Sequence, residues 1–302
     1  MSCQARTVNR ALGAYLPGFQ EDPDRTLREY RSLAGRFPAL INGYQRWDRG
    51  SAFTPRALDA AAGVGAAYML TWEPWPGQLD PIASGESDAY VQEFARDASV
   101  HGAPLLVRFA HEMNLRGIPW AGSPNVFRAA WRRVRTIFNE AGATNVQFVW
   151  SPYVQDGSGD PFAPYFPGAD MVDWLALDGY NWGARGWREG WRNRWQGFNA
   201  IFERSYREIV ALAPDRPVLI AEMGCAERGG NKAAWIRDAL LRAVPGDYSQ
   251  LVGIAWFNQF PTGHADWRIN SSAQALAAWR TVVADPLWSL GGMELTGTKL
   301  DR

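Results

Sequence analysis

Eight short apolar segments alternate with amphipathic helical patterns along this 302-residue chain. Such segments between helices are typical of parallel strands buried on both faces. No change of composition marks a linker, so we predict an α/β fold: one (β/α)8 TIM barrel over residues 1–290 and a C-terminal tail over residues 291–302. The predicted strands are residues 12–19, 39–44, 66–71, 105–114, 146–151, 174–178, 218–222 and 252–256. The predicted helices are about residues 24–35, 54–63, 87–102, 123–141, 187–212, 232–244 and 272–283.

A doubly wound open sheet is the alternative arrangement of alternating strands and helices. It would normally carry a glycine-rich phosphate-binding loop after its first strand. The nearest pattern, Gly63-Val64-Gly65, is broken at Tyr68 and precedes a strand. The barrel is therefore the simpler interpretation.

Two acidic residues stand at the ends of predicted strands. Strand four runs Leu-Leu-Val-Arg-Phe and then turns polar, with Glu112 as its acid, and strand seven ends at Glu222 just before a glycine. In a barrel the carboxyl ends of the strands form the active site. Glycoside hydrolysis needs two carboxyl groups, one to protonate the leaving oxygen and one to attack or to activate water. Glu112 and Glu222 are the predicted pair.

Other polar and aromatic residues are predicted at the same face. Glu73 is a third acid, which we interpret as an acceptor for a sugar hydroxyl or a partner of Arg108, and Arg108 as a clamp for carboxylate geometry. Further residues at these strand ends are Trp72, His111, Asn114, Trp150, Asp178, Tyr180, Asn181, Trp182, Trp256 and Asn258.

The composition favours a neutral, sugar-like partner. Lys+Arg and Asp+Glu both number 31, so no net charge attracts the chain to nucleic acid or to an anionic membrane. Sixteen Trp residues suit a ligand with flat apolar faces edged by hydroxyls, although we assign about half of them to packing. No apolar run is long enough to span a membrane. We expect a monomer that binds a polysaccharide or an oligosaccharide.

The motifs around these residues resemble glycoside hydrolase family 26, whose members are mainly β-mannanases. The resemblance extends over residues 12–283 and rests on five segments in the same order. They are Arg108-Phe-Ala-His111-Glu112-Met113-Asn114 with Pro119-Trp120, Val149-Trp150-Ser151-Pro152, Leu177-Asp178-Gly179-Tyr180-Asn181, Ala221-Glu222-Met223-Gly224 and Ala255-Trp256-Phe257-Asn258.

The resemblance implies a retaining mechanism, with Glu112 as acid/base and Glu222 as nucleophile. Their carboxyl groups would then lie about 5–5.5 Å apart, and the pKa of Glu112 would be raised. His111 would orient the centre and the Tyr180 hydroxyl would hydrogen-bond the nucleophile. The residues implied to bind substrate are Trp72, Arg108, His111, Asn114, Trp120, Asp178, Tyr180, Trp182 and Trp256, with Trp256 as the platform at the cleavage point and the segment Asp266-Trp267-Arg268 near a distal sugar.

One departure bears on the substrate. After Asn114 this chain reads Leu-Arg-Gly-Ile-Pro-Trp, so that Gly117 and Ile118 replace two aromatic residues of the family pattern. The family also includes enzymes acting on mixed-linkage β-1,3-1,4-glucan and on β-1,3-xylan, and the segment Thr71-Trp72-Glu73-Pro74-Trp75 favours the glucan branch. The predicted function is endo-hydrolysis of β-mannan or mixed-linkage glucan. A β-1,3-xylanase, an exo-acting member and a non-catalytic carbohydrate-binding barrel are the alternatives.

Other chemistries find little support in the sequence. The three histidines have no metal-ligand spacing, residues 156–160 lack the glycine and glutamate of a calcium loop, and no Gly-x-Ser-x-Gly elbow occurs. We predict no cofactor and no metal. Cys3 and Cys225 are expected to be free thiols. Residues 1–10 lack a secretory apolar segment. We expect a secreted protein whose signal is absent from this sequence, and a cytoplasmic location is the alternative.

Overall fold

Eight parallel strands close into a barrel in which each strand pairs with its neighbours in the chain, β8 with β1 included. The computed structural model describes residues 10–47, 53–77, 79–184, 194–261 and 265–288. The strands are β1 (Ala11–Tyr15), β2 (Leu40–Arg46), β3 (Ala67–Glu73), β4 (Leu105–Phe109), β5 (Val146–Trp150), β6 (Trp174–Asn181), β7 (Val218–Cys225) and β8 (Leu251–Phe257). The predicted (β/α)8 barrel is confirmed, and the predicted tail lies outside the described residues.

Helices follow the strands on the outside of the barrel. They are α1 (Pro23–Ala34), α2 (Pro55–Gly63), α3 (Asp80–Ser84), α4 (Asp88–His101), α5 (Pro124–Glu140), α6 (Phe198–Leu212), α7 (Lys232–Asp238), α8 (Val244–Asp247) and α9 (Ala273–Ala284). A 3-10 turn at Ala163–Tyr165 and a π-helical segment at Ala239–Ala243 complete the helical elements of the described residues. The first part of the helix predicted from residue 187 falls outside the described residues, and α6 begins at Phe198.

Alternation along the strands sorts the side chains into two layers. Leu40, Met69, Leu106 and Ala176 fill the barrel interior, and the side chains of the opposite parity pack beneath the helices. Gly13 in β1 allows a close approach, since a Cβ atom there would lie 1.7 Å from the Leu40 carbonyl oxygen. The interior positions nearest the carboxyl ends of the strands are polar, and they form the candidate site.

None of the helices that the structure describes is long and apolar enough to cross a membrane.

Candidate active site

A β-bulge aims Glu222 into the barrel. Leu177 of β6 pairs with Ile220 of β7, but the next residue, Asp178, pairs with Glu222, so Ala221 is an extra residue in β7. Leu219 and Ala221 both belong to the interior layer. Without the extra residue, strict alternation would direct Glu222 outward, and the bulge is therefore what places this carboxylate in the site.

Three side chains hold the Glu222 carboxylate. The Tyr44 hydroxyl donates to Oε1 at 2.5 Å and the Tyr180 hydroxyl donates to Oε2 at 2.5 Å. Arg108 forms a hydrogen-bonded ion pair with Oε1. The two tyrosines come from β2 and β6, so the carboxylate is fixed from both sides of the barrel.

Arg108 is a fully buried brace between strands. Its guanidinium donates to Asp178 Oδ2 at 2.8 Å, to Thr71 Oγ1 at 2.8 Å and to the Tyr44 hydroxyl at 3.3 Å, besides Glu222. Charge-assisted bonds of this kind are the strong ones in a protein interior. The prediction that Arg108 clamps carboxylates agrees with these contacts, and its carboxylate partners are Asp178 and Glu222 instead of Glu73.

The two candidate acids have opposite electrostatic environments. Burial alone would raise the pKa of Glu222, but the Arg108 charge and the hydrogen bonds from Tyr180 and Tyr44 outweigh it and lower that pKa below its usual value. Burial raises the pKa of Glu112 well above its usual range, and the charges of Glu222 and Asp178 raise it further. Glu222 is therefore ionised where Glu112 is still protonated.

Glu112 stands in a strained turn. Its φ is 53° and that of Ala110 is 46°, values in the left-handed region that non-glycine residues rarely adopt. The Glu112 N–H donates to the Ser151 carbonyl at 2.8 Å, and its own carbonyl accepts from Leu115 N–H at 2.8 Å. Strain of this kind persists where surrounding contacts fix the backbone, and it is frequent at functional sites.

His111 directly precedes Glu112 in the chain and lies close to Glu222 in space. Its Nε2 is 3.8 Å from Glu222 Oε1. Burial and the Arg108 charge lower the pKa of His111 to about 3, so the ring is neutral. The Trp120 indole N–H donates to the His111 carbonyl at 2.6 Å, and its ring centroid lies 5.4 Å from that of His111.

Three tryptophans predicted for this face point away from it. Trp256, with no exposed surface, lies 5.4 Å from Trp279 of α9, and Trp72 lies 4.5 Å from Phe94 of α4. The predictions that Trp256 is the sugar platform and that Trp72 lines a subsite are therefore wrong. The physical reason is strand alternation: Trp72, Trp150 and Trp256 have the outward parity, which packs them beneath the helices.

Asn114, Trp120 and Asp178 are buried and serve as supports, not as exposed sugar contacts. The Asn114 amide donates to the Tyr153 and Asp160 carbonyls at 3.0 and 3.2 Å. Asp178 accepts from Arg108 and from Ser151. Trp182 remains a candidate sugar contact, since it is half-buried beside Tyr180 and lines a cleft of about 920 Å³.

Sequence reasoning missed Tyr44 and Phe257. Phe257 is half-buried and stacks on Tyr15 at 5.1 Å, and it lies 6.0 Å from Tyr180. Phe257 has the inward parity that its neighbour Trp256 lacks. Tyr44 follows Asn42 at the same parity of β2, and counting inward positions from Leu40 would have found it.

The segment that departs from the family pattern forms a turn. Gly117 has a φ of 89°, and a Cβ atom there would meet no atom within 4 Å. The half-buried Trp75 ring lies 5.8 Å from the ring of Trp120, which follows this turn, with the Arg46 guanidinium 4.1 Å above it. Glu73 accepts from the Trp75 indole at 3.1 Å. This corner of the site is open at Gly117.

Known proteins similar to the chain are glycoside hydrolases. Endoglucanase H of Acetivibrio thermocellus is 32% identical over 289 aligned residues, which cover 91% of this chain and 31% of the relative. The mannan endo-1,4-beta-mannosidase A and B of Caldalkalibacillus mannanilyticus is 27% identical over 163 residues, 51% of this chain and 26% of the relative. The chain thus spans less than a third of either curated relative. No protein-family model matches it.

Solved structures agree on the fold. A modular endo-beta-1,4-mannanase of family 26 from Cellulomonas fimi matches with a TM-score of 0.68 at 16% identity, covering 93% of this chain and 72% of that one. A family 26 beta-mannanase from Bacteroides ovatus matches with a TM-score of 0.66 at 15% identity, covering 95% and 94%. The fold is that of glycoside hydrolase family 26. The shared fold agrees with the resemblance seen in the sequence motifs, and by sequence similarity the chain is a relative of glycoside hydrolases.

Proposed function

We propose that this chain is a family 26 glycoside hydrolase that cleaves internal β-1,4 linkages of a β-glycan with retention of configuration. The observation that supports this most is the division of charge between the two acids. Arg108, Tyr44 and Tyr180 stabilise Glu222 as a carboxylate, while burial and neighbouring charges keep Glu112 protonated. Two carboxyl groups with separated pKa values are what double displacement requires.

In the first step, a Glu222 oxygen forms a bond to the anomeric carbon as the bond to the leaving oxygen breaks, and Glu112 gives its proton to that oxygen. In the second step, Glu112, now a carboxylate, takes a proton from water. The water oxygen bonds to the anomeric carbon and the Glu222 carboxylate is released. We expect the two carboxyl groups to be about 5–5.5 Å apart, the spacing of retaining enzymes.

The surrounding residues orient the reacting groups. Burial raises the pKa of Tyr44 and of Tyr180 well above the usual value, so both hydroxyls remain donors to Glu222. The neutral His111 adds no positive charge that would compete with Arg108 for the nucleophile. Phe257 and Trp182 are the half-buried rings that we assign to sugar contact.

Mixed-linkage β-1,3-1,4-glucan and β-mannan are the proposed substrates. The relative that aligns with nearly the whole chain is named an endoglucanase, and the mannosidase aligns with about half of it. The open corner at Gly117 also lacks an aromatic platform of the usual mannanase pattern. Both observations favour the glucan. Initial rates on lichenan, galactomannan and β-1,3-xylan separate these possibilities, and we expect lichenan to be cleaved fastest.

Replacement of Glu222 tests the catalytic assignment. E222A should reduce kcat on the order of 10⁴-fold or more, the scale seen when a covalent nucleophile is removed. Added azide should then restore cleavage and give a product of inverted configuration. E29A, on the exposed face of α1, is the control and should keep full activity. If the native chain binds glycans without cleaving them, and E222A still binds them, the non-catalytic barrel is favoured.

A further inference from the structure

Lys232 occupies an unfavourable place for a charged side chain. It is the first residue of α7 and only 1% exposed. A cation near a helix N-terminus opposes the helix dipole, and burial removes its hydration. Of the 31 basic residues in the chain, 29 are arginines, and Lys232 is the one lysine among the residues that the structure describes. A lysine at this position therefore calls for a specific reason.

The ammonium group of Lys232 donates hydrogen bonds to three acceptors of one loop. Its Nζ donates to the Asp266 carbonyl at 3.1 Å, to the Arg268 carbonyl at 2.8 Å and to Ser271 Oγ at 2.8 Å. These three acceptors use all three of its N–H donors. A planar guanidinium directs its donors in a fixed fork, so the compact ammonium is better suited to acceptors that converge on one point.

The loop of residues 266–271 packs against Tyr180, which bonds the candidate nucleophile. Its Trp267 ring lies 4.9 Å from the Tyr180 ring and 5.0 Å from the Trp182 ring. Trp267 also packs against Gly224, where a Cβ atom would come within 3.0 Å of the indole. Tyr180 in turn donates to Glu222. The loop is thus the wall behind the tyrosine that orients the nucleophile.

We propose that Lys232 is a positioning residue that holds the 266–271 loop, so that Trp267 keeps the Tyr180 hydroxyl on Glu222, and that loss of the Lys232 proton loosens this wall. The proposal rests on the proposed function, because its kinetic consequence is read in glycoside hydrolysis. A neutral amine has two N–H donors, so it must release one of its three acceptors.

The groups around Lys232 place this change in an accessible pH range. Burial lowers the pKa of Lys232 to about 8; the carboxylates of Glu227 and Asp266 oppose that shift, and the charge of Arg268 adds to it. Ser271 Oγ already donates to Glu227 at 2.7 Å, so its hydroxyl proton is committed. Burial raises the pKa of Cys225 to about 12, so no thiolate forms near pH 8 to keep the lysine charged.

The free energy of global unfolding changes with pH in the opposite direction to the expected change in activity. Because the pKa of Lys232 is lower in the folded chain than the ordinary 10.5, the unfolded chain binds more protons between about pH 8 and 10.5. The contribution of this group to the free energy of unfolding therefore increases with pH in that window. A loss of activity near pH 8 that follows Lys232 is then a local effect on the loop.

The first measurement is an NMR titration of protein labelled at lysine with ¹³Cε. The chain has two lysines, Lys232 and Lys299, and the loss of a signal in K299M assigns them. We expect a midpoint near 8 for Lys232, and a midpoint near 10.5 would overturn the proposal. S271A removes one acceptor and should lower the midpoint further. These titrations need no substrate, so they remain informative if the hydrolase assignment fails.

The second measurement is the pH profile of kcat/KM on a dinitrophenyl β-oligoglycoside. This leaving group departs without a proton from Glu112, so the alkaline limb of Glu112 is removed. We expect an alkaline limb near pH 8 in the native chain and in K299M. In S271A this limb should move by the same amount as the NMR midpoint of Lys232. K232M should lower kcat/KM at least roughly tenfold at pH 7 and lack that limb. A limb that stays in place in S271A would overturn the proposal.

Discussion

Three side chains donate hydrogen bonds to the ionised Glu222 carboxylate. Tyr44 and Tyr180 each bond one of its oxygens, and Arg108 bonds Oε1 as an ion pair. Hydrogen bonds to the ionised form lower a carboxyl pKa, and burial works against them. For the neighbouring acid, Glu112, burial and the charges of Glu222 and Asp178 outweigh the charge of Arg108, and its pKa rises. The chemistry of the site follows from this difference.

We predict a bell-shaped dependence of kcat/KM on pH for the natural glycan. The acidic limb reports Glu222, whose pKa is below the usual value, because activity is lost as pH falls through that pKa. The alkaline limb reports Glu112, whose pKa is raised, because the general acid is lost as pH rises through it. Initial rates over pH 3–10 give both limbs, and an E112Q variant should lack the alkaline one.

Removing the hydroxyl of Tyr44 should move the acidic limb. Y44F takes one hydrogen bond from ionised Glu222, so the pKa of Glu222 should rise and kcat should fall roughly tenfold, about 1.4 kcal/mol. Y165F is the control: Tyr165 lies in the 3-10 turn, and the variant loses only its hydrogen bond to the Gly122 carbonyl. The same acidic limb in Y44F and the native chain would contradict the role of Tyr44.

At the scale of elements, the barrel strands were well predicted and the direction of their side chains less so. All eight strands lie within a few residues of their predicted positions, because apolar runs between helical patterns are local signals. The family resemblance implied Trp256 as the sugar platform, but parity gives the inward place to Phe257. Glu222 faces inward because of a bulge, and a bulge depends on pairing between strands that no local pattern reveals.

Two glycine substitutions test the packing of the elements. G13A in β1 should lower the free energy of unfolding by more than about 3 kcal/mol, because its Cβ atom would overlap the Leu40 carbonyl. G63A at the end of α2 meets no atom within 4 Å and should be neutral or stabilising by up to about 1 kcal/mol. Urea denaturation of both variants checks this, and equal stability of the two would contradict the described β1–β2 contact.

At the scale of the whole molecule, Arg108 joins four strands besides its own. It reaches Tyr44 of β2, Thr71 of β3, Asp178 of β6 and Glu222 of β7 across the barrel interior. A buried ion pair is costly to break on one side, because the remaining charges are left uncompensated. The candidate site and the stability of the barrel therefore share this one side chain.

R108M should lower the free energy of unfolding by roughly 3–5 kcal/mol, the cost of leaving a buried carboxylate without its partner. R204M on α6 is the matched control, since that arginine is exposed and its pair with Glu208 is worth under about 1 kcal/mol. Chemical denaturation of both variants at pH 7 measures the difference. A loss in R108M no greater than in R204M would contradict the brace.

The most direct test of the account is the configuration of the first product. Proton NMR of the anomeric signals, recorded during hydrolysis of lichenan or galactomannan, shows which anomer is released before mutarotation. Attack by Glu222 followed by water gives two inversions, so the β-anomer should appear first. An α-anomer appearing first would contradict the assignment of Glu222 as nucleophile and Glu112 as acid/base.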